Sequence, residues 1–178
     1  MQDLSLHILD IAENSTRAHA TEIEIEVIED EINDVVYLKI KDNGDGIEES
    51  KLKSVENPFY TTRTTRRVGL GISLLKQNCE RTGGSLVIQS QLGEGTEVIA
   101  CMQYSHIDRL PLGDMASTWF TLIEAHPYID WNYHHKKKEK EFKLDLKAIK
   151  IMLEEVPIYE PQVMTWIKKY ILMQYEGF

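Results

Sequence analysis

Val36-Tyr-Leu-Lys-Ile-Lys-Asp-Asn-Gly-Asp-Gly46 is a strand that runs into a glycine-bearing turn. Its alternation sends Leu38 and Ile40 to one side, so Asp42, two residues on, is phased toward the same interior. A carboxylate aimed into a core is costly unless something donates to it, so Asp42 requires either a protein donor or a ligand. Gly44 and Gly46 then let the main chain approach a flat group closely, since neither carries a Cβ.

Outward from this stretch, Glu22-Ile-Glu-Ile-Glu-Val27 alternates with the same period and is joined to it by an acidic turn around Asp30 to Asp34. The two segments predict a hairpin. On its polar face Glu24 and Glu26 oppose Lys39 and Lys41, cross-strand pairs worth about 0.2 to 1 kcal/mol each. Upstream, Leu6, Ile8, Leu9, Ile11 and Ala12 recur at helical spacing between Ser5 and Ala18, with Ser5 as the expected N-cap. His7, Asp10, Asn14 and Arg17 share the other face of that helix.

Downstream, residues 57–68 are polar, threonine-rich and carry Arg63, Arg66 and Arg67 without an acid, which reads as a loop. It ends at Gly69-Leu-Gly71. A helical pattern through Ile72, Leu74, Leu75 and Cys79 follows and is stopped by Gly83-Gly84. Two strands near 85–91 and 97–103 are joined by the turn Gly93-Glu-Gly-Thr96. Beyond Tyr104 the spacing predicts a helix capped by Asp114, strands near 130–135 and 141–146, and two helices separated by Pro157 and Pro161. This second part is expected to be a small α+β appendage sharing an interface with the first.

Composition narrows the function classes. The 178 residues carry a formal charge of −9 and a pI near 5.2, which disfavours a sequence-independent grip on nucleic acid. Cys79 and Cys101 lack CxxC spacing and read as buried free thiols rather than a disulfide or a zinc site. No apolar run of about 18 residues and no signal-like h-region occurs, so neither a membrane span nor export is expected, and the reading puts the chain in the cytoplasm.

Two glycine-bearing turns, one after an inward carboxylate and one opening a helix behind three arginines, together point to a nucleotide. Asp42 is able to accept from the exocyclic amine of adenine. The helix beginning near Gly69 offers free N–H groups and a positive dipole end to phosphates. Asn14 supplies a neutral oxygen of the kind Mg²⁺ accepts beside phosphate oxygens and water. Arg17 would face the same phosphates, and Asp10, one turn earlier, would orient or deprotonate an attacking group.

In these motifs the chain resembles the histidine-kinase-like ATPase superfamily, called GHKL. Asp10-Ile-Ala-Glu-Asn14 resembles its N box, Asp42-Asn-Gly-Asp-Gly46 its first glycine box, and Asn57-Pro-Phe-Tyr60 its phenylalanine box. Gly69-Leu-Gly71 and Gly93-Glu-Gly-Thr96 resemble its second and third glycine boxes. The resemblance covers roughly residues 1–104, with 105–178 as an extension of unassigned role. It implies a Bergerat-type two-layer α/β sandwich of the α+β class, in which a mixed, mainly antiparallel sheet is covered by helices.

The resemblance further implies an ATP-Mg²⁺ site with a lid near 56–68. The residues it implies as nucleotide contacts are Asn14, Arg17, Asp42, Gly44, Gly46, Ile47, Phe59, Thr62, Arg63, Arg66, Gly69, Leu70, Gly71 and Thr96. Asn14 would also hold the metal, and Asp10 would be catalytic.

Two departures qualify it. The family usually has glutamate where this chain has Asp10, one methylene shorter, so hydrolysis is expected to be slow. Glu13 and His7 are candidate substitutes, with solvated or structural roles as the plainer readings. The N-box helix also begins almost at Met1, so the dimerising hairpin of sensor kinases is not expected. The expectation is therefore a stand-alone ATPase domain that binds ATP or ADP and acts on, or signals to, a protein partner in trans. The alternative is a non-catalytic, nucleotide-gated interaction module, for which Trp119, Trp131 and Trp166 would supply a binding surface if they are not core.

Overall fold

The computed structural model describes residues 2–50, 70–176 and 178, with only the main chain described at Leu70. The expected lid at 56–68, the phenylalanine box, and the individual assignments to Phe59, Thr62, Arg63, Arg66 and Gly69 lie outside the described residues.

Helix α1 spans Leu4–Arg17. Its N-cap is Asp3, not the expected Ser5: the Asp3 carboxylate accepts from Leu6 N–H at 3.0 Å and from the Ser5 hydroxyl at 2.8 Å. A cap must sit three residues before the amide it serves, and Asp3 does so with respect to Leu6. The next donors are satisfied from afar, since Leu4 and Ser5 N–H bond the carbonyls of Pro111 and Leu112 at 2.9 Å.

Strands β1 (Glu22–Asp30) and β2 (Val35–Asp42) form the hairpin, with β1 three residues longer than its alternation suggested. Glu24 stands opposite Lys41 and Glu26 opposite Lys39, and the Lys39 ammonium reaches both Glu24 (2.7 Å) and Glu26 (3.6 Å). Helix α2 (Leu70–Arg81), β3 (Ser85–Gln91) and β4 (Gly95–Gln103) complete the first part.

The second part contributes α3 (Met115–Ala125), β5 (Asp130–Lys137), β6 (Lys140–Asp145), α4 (Leu146–Leu153) and α5 (Pro161–Tyr175). Asp114 caps α3 as expected, accepting from Ser117 N–H at 2.9 Å. Leu146 belongs to a helix rather than to the strand expected at 141–146, because Asp145 accepts from Ala148 N–H and so opens α4.

The six strands among the described residues make one sheet in the order β3-β4-β2-β1-β5-β6. Every neighbouring pair is antiparallel except β1 with β5, where Glu22 to Glu29 run parallel to Asp130 to Lys137. The two parts are thus joined by a backbone ladder. One face of this mixed, mainly antiparallel sheet, with Ile25, Leu38, Val98, Tyr133 and Phe142, is buried against Ile8 and Ile11 of α1, Leu75 of α2, Trp119 and Leu122 of α3, and Ile167 of α5. Trp119 and Trp131 are core, with rings 6.1 Å apart and nearly perpendicular, whereas Trp166 is half exposed and stacks on Tyr170. No helix among the described residues is long and apolar enough to cross a membrane.

Glu29 lies beyond the alternation read at 22–27, and in the longer β1 it continues the inward phase of Ile23, Ile25 and Val27. Its carboxylate accepts from Nε2 of the fully buried His135 at 3.1 Å and lies 3.5 Å from the Lys137 ammonium. Burial pushes the Glu29 carboxyl up, but His135 and Lys137 outweigh it and hold the group below its ordinary value. Both cysteines are free, Cys79 buried and Cys101 partly so, and burial pushes the Cys79 thiol up to about 12.

Candidate functional site

The end of β2 delivers Asp42 into the interior, 8% exposed. Among the described residues three donors meet it there: the Ser15 hydroxyl at 2.6 Å on Oδ2, and the amides of Gly44 (2.9 Å) and Thr96 (3.2 Å) on Oδ1. A carboxylate accepts about four hydrogen bonds, so about one acceptor site remains. The choice between a protein donor and a ligand therefore resolves into protein donors first, with capacity left for one more.

The two glycines of this turn are required by the protein's own packing. A Cβ on Gly44 would lie 2.5 Å from the Ala18 carbonyl oxygen, and one on Gly46 would lie 2.0 Å from that of Gln91. Both close approaches are to this protein's own main chain. Gly46 also has φ +69°, the left-handed region in which a side chain is strained. The turn is thus wedged between the end of α1 and the β3-β4 hairpin. Asn43 fastens its other side, accepting from Thr21 and Glu22 N–H at 2.9 Å each and donating to the Thr21 hydroxyl.

The third glycine box completes the pocket wall. Thr96 stands opposite Asp42 in the β2-β4 register. The Ser90 hydroxyl donates to the Gly95 carbonyl (2.8 Å) and accepts from Ile47 N–H (2.8 Å), so the 2.9 Å contact with Thr96 has Thr96 as the donor. Ile47, Thr96 and Asp42 are brought together through a serine that the motif reading did not include.

On α1, Arg17 Nη1 donates to Asn14 Oδ1 at 3.0 Å. Asp10 and Asn14 are partly buried and Arg17 is exposed, one turn apart on the same helix. The second glycine box meets this face directly: a Cβ on Gly71 would lie 1.9 Å from Asp10 Oδ2. The start of α2 therefore abuts the Asp10 carboxylate. Leu70 contributes main chain to that start.

The candidate substitute bases are both engaged. His7 is buried, and its Nδ1 lies 3.1 Å from the Gly71 carbonyl. Burial lowers its pKa, which leaves a neutral ring donating from Nδ1. Glu13 accepts from His126 Nε2 at 2.9 Å and lies 3.8 Å from Arg17.

Ser15 and Ser90 are the residues that motif reading missed. Each carries one faint signal. Ser15 continues the buried stripe Ile8, Ile11, Ala12 at helical spacing, and Ser90 continues the inward phase of Leu86 and Ile88. A hydroxyl in an apolar stripe implies a buried partner.

Residues 2–106 match the family described as histidine kinase-, DNA gyrase B- and HSP90-like ATPase. The chain is 35% identical over 99 residues to a putative sensor protein of Shewanella frigidimarina, a match covering 54% of this chain and 15% of that protein. It is 36% identical over 104 residues to sensor protein SrrB of Staphylococcus aureus, covering 56% of this chain and 17% of that one. The matched segment is thus a small fraction of those sensor proteins. The N-terminal domain of a DNA repair protein shares the fold with a TM-score of 0.54 and 16% identity, over 80% of this chain and 52% of that chain.

Proposed function

Because the chain belongs to the histidine kinase-, DNA gyrase B- and HSP90-like ATPase family, we propose that its first part binds ATP with Mg²⁺ and acts on a protein partner in trans, by phosphotransfer or slow hydrolysis. The observation that carries this reading is Asp42. Its carboxylate is held by Ser15, Gly44 and Thr96 with about one acceptor site over, which suits the exocyclic amine of adenine. Ile47 and Thr96 flank it, tied through Ser90.

At the phosphate end, Asn14 offers a neutral oxygen and Arg17 a cation on one face of α1, while the start of α2 offers main-chain N–H groups beside Asp10. Among the described residues no cluster of three or more His, Cys, Asp or Glu could hold a metal. The Asn14 amide oxygen suits a cation shared between it, phosphate oxygens and water. Bound there, Mg²⁺ would neutralise phosphate charge. Asp10 is the residue we assign to orient or deprotonate the attacking group, and Phe59, Thr62, Arg63, Arg66 and Gly69 the residues we assign to the lid side. Residues 105–178 then form the extension through which a partner is met.

A calorimetric titration with ATP and ADP in Mg²⁺, followed by incubation of the protein and a cell extract with γ-labelled ATP, tests the proposal. Saturable binding with label transfer or phosphate release is expected. Absence of binding heat for either nucleotide would remove its basis.

A second reading, the nucleotide-gated interaction module, is favoured by one observation: Glu13 and His7 are committed to His126 and to the Gly71 carbonyl, so turnover rests on the shortened Asp10. The two readings part on Asp10→Asn. Loss of turnover with ATP still bound supports the enzyme, whereas unchanged ATP affinity and unchanged partner function support the module.

A further inference from the structure

The C-terminal part packs apolar side chains of α3 near the asparagine-bearing helix and bonds its first turn through the Pro111 and Leu112 carbonyls; further along, a polar side-chain pair joins the two. His126 is the C-cap of α3, and its Nε2 lies 2.9 Å from Glu13 Oε1. A carboxylate only accepts, so Nε2 carries the proton and donates. His126 is itself fixed: its carbonyl accepts from Nε1 of the fully buried Trp131 at 3.2 Å, and its N–H bonds the Leu122 carbonyl at 3.0 Å.

Glu13's second oxygen, Oε2, makes only a long ion pair with Arg17 Nη2, at 3.8 Å and beyond hydrogen-bond distance, while Arg17 Nη1 donates to Asn14 at 3.0 Å. Arg17 therefore sits between two acceptors, and His126 holds one of them back. Glu13 and Arg17 are four residues apart, a spacing at which carboxylate and guanidinium pair readily along a helix.

We propose that His126 is a positioning residue for the phosphate end of the nucleotide site: by holding Glu13, it keeps that carboxylate from closing on Arg17 and leaves the guanidinium to Asn14 and an incoming phosphate. The inference rests on the reading of Asn14 and Arg17 as phosphate-side residues. It gives the extension a defined route to the site, since any partner that shifts the end of α3 also shifts the carboxylate that competes for Arg17.

The test is titration of ATP with Mg²⁺, and of adenosine, into the wild type, His126→Ala, Glu13→Gln and the double variant, with a thermal melt of each. His126→Ala is expected to weaken ATP by about two- to fivefold, the size of an exposed pair, and to leave adenosine unchanged. In the Glu13→Gln background it is expected to have no further effect on ATP. Equal weakening of ATP in both backgrounds, or of adenosine alongside ATP, would reduce His126 to a packing role and overturn the proposal. So would an unchanged ATP affinity in His126→Ala. A wild type that binds no ATP overturns the nucleotide reading itself, and this inference with it.

Discussion

Replacing Asp42 by asparagine alters the site at one atom and separates nucleotide recognition from folding. In the native site Oδ1 accepts the Gly44 and Thr96 amides and Oδ2 accepts the Ser15 hydroxyl. An asparagine keeps the first two through its own oxygen. Its Nδ2 then faces Ser15, whose hydroxyl turns to accept and directs its proton to the Ile11 carbonyl, already 3.4 Å away.

All the protein's own bonds survive in that exchange, but they lose their charge-assisted strength. The stability cost is about 1 to 2 kcal/mol, or about 2 to 8 °C in Tm for a chain of this size. The ligand contact fares worse. Where the carboxylate is proposed to accept from the adenine amine, an amide N–H would meet a second donor. Loss of one hydrogen bond to a charged group costs about 1.5 to 3 kcal/mol, a weakening of about 10- to 100-fold in Kd. Calorimetric titration of ATP and ADP in Mg²⁺, with a melting curve for each protein, measures both quantities. An Asp42→Asn variant that melts cooperatively and binds ATP within about twofold of the wild type would refute the assignment of Asp42 to the adenine amine.

Three further outcomes follow from the same geometry. Ser15→Ala removes the hydroxyl that donates to Asp42 at 2.6 Å and is expected to cost about 1 to 3 kcal/mol by denaturant unfolding; an unchanged unfolding midpoint would show that Asp42 does not depend on it. Gly46→Ala forces a Cβ to 2.0 Å from the Gln91 carbonyl oxygen, whereas Gly93→Ala, also at positive φ, meets nothing within 4 Å. Gly93→Ala should therefore cost only the conformational strain of about 1 to 2 kcal/mol and spare ATP binding, while Gly46→Ala loses binding as well; equal effects of the two on the melting temperature would contradict the close approach. Glu29, held below its ordinary value of 4.5 by His135 and Lys137, contributes stability that is fully present above 4.5 and is lost as pH falls through its lower folded value. Acid unfolding should accordingly weaken in its dependence on pH below 4.5 in Glu29→Gln, and a titration curve parallel to the wild type would exclude Glu29 as a source of acid lability.

Much of the site was legible because its chemistry sits in short, ordered motifs. Asp42 was read as inward from strand phase alone, since Leu38 and Ile40 set the parity two residues earlier. The helix carrying Asp10, Asn14 and Arg17, the β1-β2 hairpin, and the stop at Gly83-Gly84 followed from local periodicity and turn residues. Local signals of that kind act over a few residues, and a single sequence displays them directly.

What the tertiary structure decided lies at longer range. Alternation in residues 130–137 announces a strand but not its neighbour, and only the fold pairs it in parallel with β1, more than a hundred residues away, to make one six-stranded sheet. Ser15 and Ser90 became site residues because Asp42, Ile47 and Thr96 fold onto them, and the glycines of the first box were explained by the carbonyls of Ala18 and Gln91. Glu29 lies outside the alternation read at 22–27 and gains its partner only when His135 arrives beside it, and Glu13 reads as a solvated acid until His126 does. The residues of the candidate site were thus legible in the sequence, whereas the partners that hold them were decided by packing, because a buried polar group is satisfied by whatever donor the fold brings within about 3 Å, at any distance along the chain.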